Sequence, residues 1–140
     1  MKFEKGVAVI IFCGSTKRFL LVKYKVFGQK HWDFPKGKIE DGEKDRTAAK
    51  REALEETGID DLNFDNGFSA NYKYSYTKDS GEEVFKDYHY LLAKIPHEEK
   101  VILSEEHSDS KWASYDEAID LFEFDNQKEI FRKVWNYLFK

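Results

Sequence analysis

A glycine loop that carries acidic residues and runs into a helix is the feature that most constrains the fold of this chain. Residues 37–43 read Gly-Lys-Ile-Glu-Asp-Gly-Glu, and residues 51–59 read Arg-Glu-Ala-Leu-Glu-Glu-Thr-Gly-Ile. The pattern predicts a helix that begins near residues 44–47 and ends at Gly58, because glycine suits the left-handed conformation of a helix cap. Within this helix Glu52, Glu55 and Glu56 stand at positions i, i+3 and i+4, which brings their carboxylates onto one face.

Three carboxylates this close repel one another, which a plain surface helix has no reason to accept. A hard divalent cation relieves the repulsion, and carboxylate oxygens suit Mg²⁺, with Mn²⁺ as the alternative. Mg²⁺ held by a few carboxylates keeps coordination positions for water and for substrate phosphates. The pattern therefore predicts Glu52, Glu55 and Glu56 as metal ligands in a reaction on a phosphate. The simpler alternative is a solvated helix whose acids balance Lys50 and Arg51, but it explains neither the loop glycines nor the fixed spacing.

The composition indicates one globular domain over residues 1–140, with 41% hydrophobic residues. Cys13 is the only cysteine, so no intramolecular disulfide is possible, and with the absence of a signal-like start this predicts a cytoplasmic protein. The longest apolar run, Val7 to Cys13, is too short to span a bilayer, so no membrane association is expected. The net charge of −4 argues against a stable nucleic-acid partner and leaves a small nucleotide arriving with its cation as the expected substrate. No pattern predicts an oligomeric state.

Hydrophobic periodicity predicts an α/β domain in which strands alternate with helices. The apolar run Val7 to Cys13 is typical of a strand buried on both faces, and a turn at residues 14–17 connects it to a returning strand. A loop-rich segment over residues 28–42 precedes the acidic helix. The remaining predicted elements are strands at residues 68–77, 84–94 and 111–113 and helices at residues 116–122 and 127–139.

The glycine loop and acidic helix resemble the Nudix box, a pattern of Gly, five residues, Glu, seven residues, then Arg-Glu-apolar-x-Glu-Glu-x-Gly-apolar. The specified positions are all filled here, and Ala53 stands where a larger aliphatic residue is usual. The resemblance implies the Nudix α/β/α sandwich with a mixed central β-sheet. It also implies hydrolysis of a nucleoside diphosphate linked to another group. Arg51 is predicted to be structural, pairing with a box carboxylate such as Glu43.

The segments that flank the box are similar to those of diadenosine tetraphosphate hydrolases. Residues 31–37, His-Trp-Asp-Phe-Pro-Lys-Gly, look like the Trp-x-x-Pro-Lys-Gly segment of that branch. By this resemblance Lys36 contacts the phosphate chain, and His31 is a second candidate contact. The alternative for His31 is an ordinary solvated loop residue.

The second half of the chain continues this resemblance. Residues 104–107, Ser-Glu-Glu-His, imply that Glu106 reaches the metal site on a loop, either as an extra ligand or as the general base, while His107 orients that loop. Lys86 is implied as a further phosphate contact. Tyr76 and Phe124 are implied as the two walls of an adenine slot, since aromatic faces stack on any base. The alternatives are that Tyr76 covers a sheet face and that Phe124 belongs to the core.

The resemblance implies Mg²⁺-dependent hydrolysis of bis(5′-adenosyl) tetraphosphate to ATP and AMP by attack of water on phosphorus. The general base is Glu52, Glu56 or Glu106, and the sequence leaves the three open. A second interpretation is an RNA 5′ pyrophosphohydrolase, which shares the Trp-x-x-Pro-x-Gly segment. A third is a non-catalytic nucleotide-binding module, which should have lost box carboxylates, and none is lost here.

Overall fold

Seven strands of the described chain form one sheet, and helices pack on both of its faces. The computed structural model describes residues 1–26 and 29–140. No helix in this described part is long and apolar enough to cross a membrane. The elements in chain order are β1 (Lys2–Cys13), β2 (Arg18–Val26), β3 (Gln29–Asp33), β4 (Lys36–Lys38), α1 (Asp45–Thr57), β5 (Asn63–Thr77), β6 (Glu83–Ile95), β7 (His107–Ala113), α2 (Tyr115–Leu121) and α3 (Asp125–Phe139).

Strand β1 lies at the centre of the sheet, whose order is β3-β2-β1-β6-β5. It runs parallel to β6 along its whole length and antiparallel to its other neighbours, so the mixed sheet predicted from the resemblance is confirmed. On the edge of β1 that faces away from β6, two strands pair with it in turn. β4 pairs with Gly6 to Ala8, and β2 pairs with Phe12 and Cys13. This division brings β4, and with it Lys36 and Gly37, into the middle of the sheet.

The sheet and the helices on its two faces form an α/β/α sandwich, with one hydrophobic cluster between the layers on each face of the sheet. One cluster packs the sheet against α2 and α3 around Phe19, Phe34 and Phe131. The other packs it against α1, whose sheet-facing residues are the small side chains of Ala48, Ala49 and Ala53. Because both faces of β1 are covered, its run from Val7 to Cys13 is buried throughout and reads as continuously apolar.

The structure differs from the sequence-based expectation where strands extend into polar sequence. β1 begins at Lys2 and β5 at Asn63, earlier than the apolar pattern predicts, because both pair with β6 along exposed stretches. The predicted loop over residues 28–42 contains β3 and β4 in its described part, which pair with β2 and β1. Residue 28 lies outside the described residues. The predicted end of α1 is confirmed, since Gly58 has φ 76° and its N–H donates to the Leu54 carbonyl.

Candidate active site

The last two turns of α1 direct two carboxylates into the protein and one outward. The side chain of Glu56 is 3% exposed and that of Glu52 is 13% exposed, whereas that of Glu55 is 57% exposed. No group of three metal-ligating side chains converges within the part of the chain that the structure describes. The geometry thus distinguishes an inner pair, Glu52 and Glu56, from Glu55 at the rim.

Gly37 in β4 lies directly against the inner pair. A Cβ atom added at Gly37 would overlap the carboxylate group of Glu52. The glycine is needed here because the strand backbone approaches this carboxylate too closely for any side chain.

Arg51 joins the glycine loop to α1, as the sequence predicts. Its Nε and Nη2 each donate to the Glu43 carboxylate at 2.9 Å, and Nη2 also donates to the Lys38 carbonyl. Nη1 donates to Glu52 at 2.8 Å and lies 3.4 Å from Glu55. The hydrogen bonds from Arg51 lower the pKa of Glu43 to about 2. Arg51 therefore fixes the loop and restrains Glu52.

The negative charges of Glu52 and Glu56 are only partly balanced by neighbouring side chains, which leaves a place for a cation. Burial raises the pKa of Glu52 to about 7; the Arg51 bond opposes this, and the charges of Glu56 and Glu55 add to it. Burial also raises the pKa of Glu56, although contacts from His107 and Tyr24 counteract it. The Oε2 atom of Glu56 is buried with no hydrogen-bond partner among the described residues. An unsatisfied carboxylate oxygen beside a second carboxylate fits a hard divalent cation such as Mg²⁺.

These raised pKa values predict how the stability of the metal-free protein depends on pH. The pKa of Glu52 rises from 4.5 to about 7 on folding, so the folded state binds this proton more tightly than the unfolded state does. The stabilisation is complete below the unfolded value and is lost as the pH rises through the folded value. With a chelator present, we expect Glu52 to lower the melting temperature progressively between about pH 4.5 and pH 7, and its effect to be constant above that range.

Thermal unfolding of wild type and Glu52→Gln across this range measures the effect. Relative to the wild type, the melting temperature of the variant should fall less with rising pH, and Glu56, whose pKa is also raised, still contributes to the fall that is left. Saturating Mg²⁺ should flatten the wild-type curve at its alkaline end. Identical slopes for the two metal-free proteins would mean that Glu52 does not carry the raised pKa.

Tyr24 and His107 contact the buried carboxylate of Glu56 from β2 and β7. The Tyr24 hydroxyl donates to Glu56 Oε1 at 3.0 Å. His107 Nε2 lies 3.1 Å from the same oxygen, an ion-pair distance at which the angles fall short of a hydrogen bond. His107 Nδ1 also lies 2.8 Å from the Ser104 hydroxyl, which ties this first residue of β7 to the loop before it. The role of Tyr24 was not predicted, since a tyrosine between two lysines carries no signal of a buried contact.

Lys36 is held in place by a buried carboxylate that the sequence analysis did not identify. Its Nζ lies 2.9 Å from Asp33 Oδ2, and Asp33 is 2% exposed. Burial opposes the ammonium charge of Lys36, but the Asp33 carboxylate outweighs burial and raises the pKa of Lys36 above its ordinary value. The ammonium group also lies 5.3 Å from the centre of the Tyr88 ring. Lys36 is thus an anchored cation that stays charged at neutral pH.

A cavity of about 310 Å³ opens beside Lys36. His31 and Phe124 flank it with ring centres 5.3 Å apart, and Phe124 is 48% exposed, which excludes it from the core. The structure therefore brings three of the predicted substrate contacts, His31, Lys36 and Phe124, to one cavity. The other residues that line it are Asp33, Tyr72, Tyr74, Tyr88, Tyr90, Asn126 and Gln127.

The remaining predicted contacts lie around this cavity and the carboxylates. Tyr76 does not line the cavity; it is 42% exposed, and the Lys86 ammonium lies 5.7 Å from its ring centre. Lys86 is also 3.7 Å from a Glu4 carboxylate oxygen. Glu106 is exposed on the turn before β7, and its negative charge raises the pKa of Glu56. The charge of Glu106 therefore acts on Glu56, and its role at the site stays a prediction.

Comparisons with known proteins bear on the family and the fold of this chain. A family model described as NUDIX domain matches residues 2–134. The chain is 35% identical over 114 residues to the asymmetrical bis(5′-nucleosyl)-tetraphosphatase of Sus scrofa, covering 79% of this chain and 74% of that protein. It is 41% identical to an RNA pyrophosphohydrolase of Dinoroseobacter shibae over only 59 residues, 42% of this chain and 36% of that protein. The crystal structure of a C. elegans Ap4A hydrolase binary complex superposes with a TM-score of 0.83 at 28% identity, covering 96% of this chain and 97% of that chain.

Proposed function

This chain belongs to the Nudix family, and we propose that it hydrolyses bis(5′-adenosyl) tetraphosphate asymmetrically, to ATP and AMP, with the aid of Mg²⁺. The swine tetraphosphatase and the C. elegans Ap4A hydrolase, which are similar to it over most of its length, support this substrate. A cytoplasmic location and the absence of a stable nucleic-acid partner remain predictions.

The main support for the proposal is that three features lie next to one another: an aromatic cavity, a lysine ammonium group and a pair of carboxylates. Each suits one part of such a substrate or its cation. The aromatic cavity at His31 and Phe124 fits a nucleobase. The Lys36 ammonium at the same cavity fits a phosphate chain. Gly37, the next residue, touches Glu52 of the inner carboxylate pair. In this proposal the base, the phosphates and the cation would lie side by side.

Glu52 and Glu56, with Glu55 at the rim, would hold the cation. When bound, Mg²⁺ supplies Lewis acidity: it neutralises charge on the phosphate chain and lowers the pKa of coordinated water. Lys36, anchored by Asp33, stabilises negative charge on a non-bridging phosphate oxygen as the bond to the leaving group breaks. Lys86, near Tyr76, contributes a second positive charge toward the distal phosphates.

The contacts of the three candidate bases favour Glu106 as the group that takes the proton from water. Arg51 restrains Glu52 through a 2.8 Å hydrogen bond. Tyr24 and His107 engage one oxygen of Glu56. The Glu106 side chain has no hydrogen bond or ion pair with the other described residues and stands exposed on its turn. A carboxylate that is free to move is suited to accept a proton.

Removal of pyrophosphate from an RNA 5′ end is the second candidate, favoured by the similarity to the Dinoroseobacter shibae protein. Incubating the protein with Mg²⁺ and diadenosine polyphosphates, triphosphorylated RNA or deoxynucleoside triphosphates, then separating the products, compares the candidates directly. We expect the highest kcat/KM on the tetraphosphate. A higher value on RNA would replace the proposal by the second candidate.

Phe124→Ala should weaken binding of the base without unfolding the protein. Loss of one stacking face is worth about 1–3 kcal/mol, and it should appear mainly in KM because the base is held similarly in the ground and transition states. The melting temperature should change little, since Phe124 is 48% exposed. Steady-state kinetics and thermal unfolding of the same preparation measure both effects.

Phe139→Ala is the matched control. Phe139 is also partly exposed, but it packs on Trp135 and Phe12, away from the cavity. This variant should lower the melting temperature and leave KM unchanged. If Phe124→Ala instead lowers the melting temperature at an unchanged KM, Phe124 does not contact the substrate. Tyr76 stays the predicted opposite wall of the adenine slot. Tyr72 and Tyr74, which line the cavity itself, are the alternatives for that wall.

A further inference from the structure

The Tyr24 hydroxyl lies between the Glu56 carboxylate and β4, the strand that begins at Lys36. Besides its contact with Glu56 Oε1 at 3.0 Å, it accepts a hydrogen bond from the Lys36 backbone N–H at 3.1 Å. It also lies 3.3 Å from the Phe34 carbonyl oxygen. One side-chain oxygen therefore touches both the group suited to a cation and the backbone of the residue suited to a phosphate.

The direction of these hydrogen bonds follows from the hydroxyl having a single proton. That proton can go to the Glu56 carboxylate or to the Phe34 carbonyl, and the bond to the carboxylate is both shorter and charge-assisted. The hydroxyl therefore donates to Glu56, and its lone pair accepts from Lys36. Because the ring of Tyr24 is packed edge-on against His107 at 4.3 Å, the hydroxyl has little freedom to choose other partners.

The same contacts leave the Glu56 carboxylate in a defined orientation. Tyr24 and His107 both face Oε1, while Oε2 is buried without a partner among the described residues. The Ser104 hydroxyl, 2.8 Å from His107 Nδ1, can donate to that nitrogen, and in that arrangement the imidazole proton is on Nε2, toward Glu56. Outer contacts of this kind orient a metal ligand and raise its affinity for the ion.

This arrangement depends on an irregularity in the sheet. Strand β2 pairs with β7 in regular register from Phe19 to Lys23, and the register shifts between Lys23 and Tyr24, which opposes His107. A bulge re-aims the side chains on its strand. Tyr24 and His107 are thereby directed at Glu56 from two adjacent strands.

We propose that Tyr24, assisted by His107, is a positioning residue that holds Glu56 for the cation and couples it to the strand that carries Lys36. The inference rests on the proposed function only in requiring a divalent cation at Glu56. It concerns binding by the free protein, so it holds whichever nucleotide is hydrolysed.

The test is Tyr24→Phe, which removes the hydroxyl and keeps the ring. Binding of Mn²⁺ to the free protein is followed by the loss of the paramagnetic resonance signal of the free ion, at a pH above the raised pKa of Glu52. We expect the dissociation constant to rise about tenfold, the lower end of the effect of outer-shell changes. Affinity for ATP without metal should also weaken, by about threefold, because the Lys36 N–H loses its acceptor.

Tyr137→Phe is the matched control, since it too deletes a hydroxyl that donates to a carboxylate, Asp65 at 2.7 Å. It should leave both affinities unchanged. Unchanged Mn²⁺ affinity in Tyr24→Phe, with or without a lower melting temperature, would overturn the inference and leave the proposed function standing. No Mn²⁺ binding by the wild type would overturn both.

His107 provides a second, independent variant pair in case Tyr24→Phe does not fold. Gln at this position keeps an N–H donor near Glu56, whereas Leu does not. We expect His107→Leu to bind Mn²⁺ more weakly than His107→Gln at similar melting temperatures. Equal affinities in this pair would contradict the positioning role.

Discussion

Replacing Glu56 by Gln is expected to reduce turnover by about a thousandfold or more while the protein stays folded. The amide keeps the size of the side chain and an acceptor for the Tyr24 hydroxyl, 3.0 Å away. It loses the negative charge that binds a hard cation, an interaction worth several kcal/mol in the transition state. About 4 kcal/mol corresponds to a thousandfold in rate. Initial rates at limiting Mg²⁺, with a melting curve of each protein, measure the effect.

Glu129→Gln is the matched control for this variant. Glu129 is an exposed residue of α3 that pairs with Lys133, so the same change of charge there should leave turnover unaltered. Removing the buried, unsatisfied carboxylate should also make the metal-free Glu56→Gln protein at least as stable as the wild type at neutral pH. Activity of Glu56→Gln within about tenfold of wild type, a barrier change of only ~1.4 kcal/mol, would contradict the metal assignment.

Gly37→Ala should lower kcat by about a hundredfold, although it adds a single methyl group. That methyl would overlap the Glu52 carboxylate, which must move or push β4 away from α1. Either displacement misplaces the inner carboxylate pair or the adjoining Lys36, and a shift of about 1 Å at a reacting centre costs about a hundredfold. Single-turnover kinetics at saturating substrate isolate this loss from changes in product release.

The control for Gly37→Ala is Gly14→Ala. A Cβ at Gly14 would meet only the Ile95 carbonyl oxygen, at 3.8 Å, in the turn after β1. Gly14→Ala should retain full activity. Normal kcat in Gly37→Ala would show that the contact with Glu52 does not restrict that carboxylate during turnover.

The elements that were predictable from the sequence are those with strong local signals. The end of α1 at Gly58 was one, because only a residue that tolerates φ 76° fits there. The buried strand at Val7 to Cys13 was another, since it is covered on both faces. The start of β1 at Lys2 was not predictable, because that stretch is held by pairing with Val84 and its neighbours on β6. Long-range pairing of exposed residues leaves no local pattern.

The same division applies to the candidate site. The acidic helix follows from the spacing of its residues, and the pairing of Arg51 with Glu43 was predicted with the Nudix box; both are seen in the structure. Asp33 was not predicted as a site residue, because only the folded structure shows that the Lys36 ammonium pairs with its carboxylate. Tyr24 is 32 residues from Glu56 in sequence, and only a shifted strand register brings the two together.

The central claim is that one adenosine is held in the aromatic cavity while the cation and Lys36 fix a single reactive phosphorus. The most direct test is hydrolysis of bis(5′-adenosyl) tetraphosphate in ¹⁸O-labelled water with Mg²⁺, followed by mass spectrometry of the products. The account predicts equal amounts of ATP and AMP, with the label predominantly in one of them. Two molecules of ADP as the main products would contradict it.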